Sequence, residues 1–149
     1  MRDSPSLRWL PVALCLASGT ALAQPPVPSA ADLALFAARR YPQPVRVGQL
    51  IHRRVLQPLE SRPILGHVEA VVRQPNGQIA IVIHYGGFLG LGGRLIAVPA
   101  DAMALLGDEM EVLDFAPLQL DAFPTFLAGT AIPIPDDARI EVSLARPSH

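Results

Sequence analysis

The sequence predicts a mainly β protein, a small barrel or sandwich with one short N-terminal helix. Its 149 residues include 16 prolines and 11 glycines, which cut the chain into short elements joined by turns. Several runs rich in β-branched residues lie between those turns. Only one stretch carries both a helix start and a helix stop. Half of the residues are apolar and 17% are charged, a composition that folds rather than stays disordered.

In chain order, the first 23 residues read as a secretory signal. Arg2 and Arg8 precede the short apolar run Trp9 to Ala17, and Ala21 to Ala23 supply the small residues of a cleavage site. The run is well short of the roughly 20 residues that a spanning helix needs. Cleavage after Ala23 predicts a periplasmic or secreted chain starting at Gln24. Cys15 is the single cysteine and leaves with the leader, so the mature chain is expected to carry no disulfide and no thiol chemistry.

Residues 24–43 follow as a proline-rich spacer and a helix. Ser29 is a good N-cap, Asp32 lies in the first turn, Arg39 and Arg40 lie in the last, and Tyr41-Pro42 stops the helix. Leu33, Phe36 and Ala37 form its narrow apolar stripe. The stretch from Pro44 to Pro58 alternates weakly and reads as one edge strand. Two β-branched runs then flank Pro75-Asn76-Gly77 and predict a hairpin. A strand reaching Val98, a helical turn, a strand over Glu109 to Phe115 and a short helical turn near Pro117 follow. Residues 128–149 read as a C-terminal extension ending in a hairpin around Pro135-Asp136-Asp137.

The glycine-rich stretch His84 to Arg94 poses the main functional question. A phosphate loop needs a strand, then glycines, then a helix N-terminus. Here the residues after the glycines, Arg94 to Pro99, are β-branched and close on proline. The sequence contains no lysine, and the order Gly87, Gly90, Gly92 is wrong for a dinucleotide loop. The stretch is therefore a long β-hairpin loop that tucks Phe88, Leu89 and Leu91 against the fold or presents them to a partner. Mature serines are few and none lies in a nucleophile turn. Asp108, Glu109 and Glu111 flank a turn and are expected to be solvated.

The span from Ile64 to Leu105, followed by Met110 to Phe126, resembles the PRC-barrel family, named for the reaction-centre H subunit. The resemblance rests on Gly66, Val68, Pro75, Gly77, Gly87 to Gly93, Val98 and Pro99, and on Leu120, Pro124 and Phe126 near the end. It covers residues 44–127 as one domain. It implies a small, strongly bent antiparallel β-barrel used for protein–protein contact, without catalytic residues and without a cofactor. Members of that family are mostly cytoplasmic, so the leader sets this chain apart. The function expected from the two together is an exported, non-catalytic interaction module of the cell envelope.

Three candidate surfaces accompany this expectation. Phe88, Leu89 and Leu91 form a possible partner-docking loop, with Phe123 and Phe126 as barrel plugs. His67, Glu69 and His84 share the outer face of the hairpin if its turn has two or four residues, and two histidines with a carboxylate suit a divalent metal. A three-residue turn would separate them. In that hairpin Val68, Ala70 and Val72 are expected inside, together with Ile79, Ile81, Ile83 and Tyr85. Finally, residues 24–99 carry a net charge of +5 and residues 100–149 a net charge of −7. Arg39, Arg40, Arg46, Arg53 and Arg54 thus form a candidate face for anionic lipid at the membrane. No basic run is interleaved with aromatics, so nucleic acid is not an expected partner.

Overall fold

In the computed structural model, which describes residues 26–57, 59, 61–87 and 92–145, helix α1 (Ala30–Ala38) begins where Ser29 caps it. The Ser29 hydroxyl accepts from the Asp32 N–H (3.2 Å) and the Asp32 carboxylate accepts from the Ser29 N–H (3.1 Å). The hydroxyl also donates to that carboxylate, and this bond chiefly holds the Asp32 carboxyl below its ordinary range. Of the expected stripe only Leu33 is buried; Phe36 is 40% exposed and lies under the Arg40 guanidinium.

The single strand expected over Pro44 to Pro58 is split. β1 (Pro42–Arg46) and β2 (Arg54–Leu56) are separated by a 3-10 turn at Val47–Gln49. Val47 and Leu50, three apart on that turn, are both fully buried. Apolar residues at that spacing suit a turn that plugs a core better than a strand that alternates.

The remaining strands are β3 (Ile64–Arg73), β4 (Ile79–Tyr85), β5 (Arg94–Pro99), β6 (Met103–Leu106), β7 (Glu109–Val112), β8 (Ile132–Pro133) and β9 (Arg139–Leu144). A 3-10 turn at Ala100–Ala102 joins β5 to β6, and α2 (Pro117–Asp121) follows β7. Pro117 at the start of α2 fits a position whose N–H needs no partner. The strands form one sheet in the order β1-β9-β6-β7-β2-β3-β4-β5, with β8 on β3. Its ends, β1 and β5, do not pair with each other, so the sheet is not closed.

The pairing is also not uniformly antiparallel: β2 with β7 and β6 with β9 are parallel. The expected C-terminal hairpin does not form. β8 pairs with β3, while β9 inserts between β1 and β6. Pro133 and Pro135 lack N–H donors, and the intervening Ile134 N–H is spent on the Val71 carbonyl (2.9 Å). Residues 132–144 are therefore part of the sheet, not an appendage to it.

The larger of two apolar clusters lies on one face of the sheet. It draws Val45 from β1, Ile140 and Val142 from β9, Ile81 and Ile83 from β4, and Ile96 and Val98 from β5, with Met103, Met110 and Leu120 between them. Glu111, expected in a solvated turn, lies inside β7 and is only 8% exposed. No helix among the described residues is long and apolar enough to cross a membrane.

Candidate functional site

The hairpin β3–β4 governs where the candidate residues fall. Gln74 and Gln78 close its turn, with the Gln74 N–H donating to the Gln78 carbonyl (2.9 Å). Three residues, Pro75, Asn76 and Gly77, lie between them, the turn length expected to separate the histidines from each other. A second irregularity reverses that effect. The register slips between Val68 and Ala70, which makes Glu69 a bulged residue. The slip restores the phase, and His67 stands opposite His84.

The same bulge corrects the expected inner face. Val68 and Val71 both enter the main core, whereas Ala70 and Val72 turn outward. Val72, Ala80 and Val82 form a second, smaller apolar cluster on the opposite face. A strap formed by residues 124–133 crosses it, placing Phe126 and Ala131 on the cluster. The strap is tied at one end by the Phe126 N–H to the Leu95 carbonyl (2.7 Å) and beyond the other by Ile134 to Val71. Phe126 thus covers the outer face. Phe123 does pack against the core, edge-on to Phe115 with ring centroids 4.9 Å apart.

His67 and His84 stack with centroids 5.2 Å apart and ring planes 10° apart, and His67 Nε2 lies 3.7 Å from the Glu69 carboxylate. A metal ion lies near the plane of each imidazole that binds it. Two nearly parallel stacked rings share no such plane, so this arrangement does not converge on one ion. Among the described residues no group of three or more His, Cys, Asp or Glu could hold a metal.

Three of the five arginines of the candidate face, Arg40, Arg53 and Arg54, engage other groups of the protein. Arg40 makes a bidentate pair with Asp114 (2.8 and 2.5 Å). Arg53 donates to the carbonyls of Gln49 (2.6 Å) and Gly107 (2.7 Å). Arg54 pairs with Glu109 (2.5 Å). The charge asymmetry between the two parts of the chain is thus partly neutralised across the fold, from residues 40 and 54 to residues 114 and 109. Arg46 stands opposite Arg139 on the β1–β9 pair. The docking-loop residues Phe88, Leu89 and Leu91, like the leader, lie outside the described residues.

Sequence reasoning missed the arrangement beside β5. Arg94, at the start of that strand, donates to the carbonyls of Leu120 (3.1 Å), Asp121 (2.6 Å) and Phe123. It thereby ties β5 to the C-terminal end of α2, bonding the Asp121 and Phe123 carbonyls and adding a further donor to the Leu120 carbonyl, which also accepts from the Phe123 N–H. Tyr85 supports the clamp: its ring lies 5.7 Å from the Arg94 guanidinium and its hydroxyl donates to Asp121 (2.6 Å). No local pattern marks an arginine at the end of a glycine loop as a helix cap. The partners are 26 to 29 residues away.

Burial, reinforced by the bond to Asp121, pushes the Tyr85 hydroxyl up to about 12. The unfolded chain then loses this proton near pH 10 while the folded chain keeps it. The contribution of Tyr85 is present in full below pH 10 and is lost as pH rises from about 10 to 12. Alkaline denaturation followed by circular dichroism is expected to show this loss, and Tyr85→Phe is expected to flatten it. An unchanged alkaline profile in Tyr85→Phe would count against the assignment.

Clamped in this way, α2 borders an apolar cleft of about 450 Å³ that is also lined by Val27, Ala97, Pro99, Phe115 and Phe123. A second cleft of about 350 Å³ runs beneath the strap and shares Ala97 and Pro124 with the first. No protein-family model matches this chain, and no curated protein matches it.

Proposed function

We propose that this chain is an exported, non-catalytic module of the PRC-barrel type that binds a protein partner at the cell envelope. On this reading the curved sheet is a barrel left open between β1 and β5. The observation that carries it is the backbone packing at the motif glycines. Gly66 of β3 lies directly against the His84 carbonyl of β4, and a side chain at Gly93 would come within 2.9 Å of the Gly86 and Tyr85 carbonyls. The resemblance rests on these same glycines. Their spacing serves close strand contact, and an apolar cleft lies beside β5. The N-terminal leader supports export.

The test is in-cell photocrosslinking from position 88, in the glycine loop, with fractionation of the cell. One dominant cross-linked protein in the periplasmic fraction is the expected result. A diffuse ladder, or a chain retained in the cytoplasm, would refute the reading.

A further inference from the structure

The two ends of the sheet are built differently. β1 carries Pro42 and Pro44 in a five-residue strand, and prolines blunt an edge against a further strand. β5 carries one proline, Pro99, at its end. Because the Leu95 carbonyl bonds outward to Phe126, the alternate positions Leu95, Ala97 and Pro99 all turn their main-chain groups away from β4. Pro99 has no N–H to offer. Ala97 has both groups, and neither its N–H nor its carbonyl finds a partner among the described residues. Ala97 is also the residue common to the two apolar clefts, together with Pro124.

The walls say what fits. Leu118 is 73% exposed at the rim of the larger cleft. Arg94 and Asp121, the charges nearest to the clamp, are engaged with α2 and with Tyr85. An ion or a nucleotide would meet no open charge there. An extended main chain would meet an unpaired donor and acceptor between apolar pockets, the arrangement by which peptides add to sheet edges.

We propose that the outer edge of β5 is the docking site for a short, uncharged, extended segment of the partner protein. The segment pairs with Ala97 and lowers apolar side chains into the cleft between α2 and β5. The available edge runs from Ala97 to Pro99, so about three or four residues, roughly 10–13 Å of strand, make the contact. This inference rests on the proposed role as a binding module and names the surface and chemistry of that role.

The test selects a phage-displayed random heptapeptide library on the immobilised full chain and measures the enriched peptides by titration. Uncharged peptides with alternating apolar residues are expected, and binding is expected to protect the Ala97 amide from hydrogen exchange. Ala97→Pro removes an outward N–H that takes no part in the β4 ladder; it is expected to weaken binding at least tenfold. Leu118→Asp places a charge at the exposed rim and is expected to do the same. It retains its fold even if the proline variant does not. Charged consensus peptides, no enrichment, or binding within twofold of the parent in Leu118→Asp would overturn the proposal. If the position-88 cross-link still captures one periplasmic protein in that case, the binding-module reading stands and only this surface is wrong. If neither result appears, both fail.

Discussion

Gly66→Ala is expected to lose at least about 3 kcal/mol of stability, a large share of the roughly 5–15 kcal/mol that holds an ordinary domain folded. Gly66 has φ 156°, a conformation that L side chains rarely adopt. A Cβ at that position would sit on the His84 carbonyl oxygen and 2.8 Å from its carbon. The obstacle is main chain, so no rotamer change relieves it. Relief requires β3 and β4 to separate where they carry the His67–His84 pair. Urea denaturation monitored by circular dichroism measures the effect. Gly77→Ala is the control for glycine at positive φ: Gly77 has φ 84° with open space around it. It is expected to cost about 1 kcal/mol, the strain of the backbone alone. Equal losses in the two variants would refute the packing argument.

Arg94→Ala is expected to cost about 2–4 kcal/mol. A hydrogen bond from a charged donor contributes about 1.5–3 kcal/mol, and this one side chain reaches three carbonyls, of which that of Leu120 also accepts from the Phe123 N–H. Their contributions are not additive, and water partly replaces the donor once it is gone, which keeps the total below their sum. The effect is expected to be local as well as global. Hydrogen exchange should accelerate first in residues 117–123, because α2 is too short to hold its own carbonyls. Arg94→Lys separates charge from shape. An ammonium is a point donor and cannot span three carbonyls with the guanidinium fork, so it is expected to restore less than half of the loss. Full restoration by lysine would mean that charge alone matters and that the clamp geometry does not.

The mainly β class and the N-terminal helix were legible because both depend on local signals. Ser29 and Asp32 cap a helix wherever they stand, and Pro75-Asn76-Gly77 turns a chain whatever follows. The faces of β3 were not legible. Alternation carried through Val68, Ala70 and Val72 gives one inner set, but a single bulged residue, Glu69, exchanges the sides from that point on. Nothing in the local sequence marks a bulge made by an exposed glutamate. The histidine pair was foreseen as neighbours, yet its stacking depends on two register changes that compensate each other. The partners of the arginines and the clamp of Arg94 were beyond reach for another reason. Apart from the Arg53 bond to Gln49, four residues away, they join residues between 26 and 74 positions apart, which only the sheet order brings together. The fate of the C-terminal strands was hidden in the same way, since a proline-spaced hairpin signal does not reveal that another strand needs one arm of it.

The pairing of β1 with β9 also sets a schedule for making the protein. β3, β4 and β5 are consecutive in the chain and can meet as soon as they emerge. β1 is produced first of all the strands, but its neighbour is residues 139–144, near the far end. The same late strand separates β1 from β6. A partly synthesised chain therefore cannot finish its sheet, and its first strand waits without a neighbour until almost the whole sequence exists. Under the export proposed above, that delay matters: β9, the strand that completes the sheet, is made after all the others described.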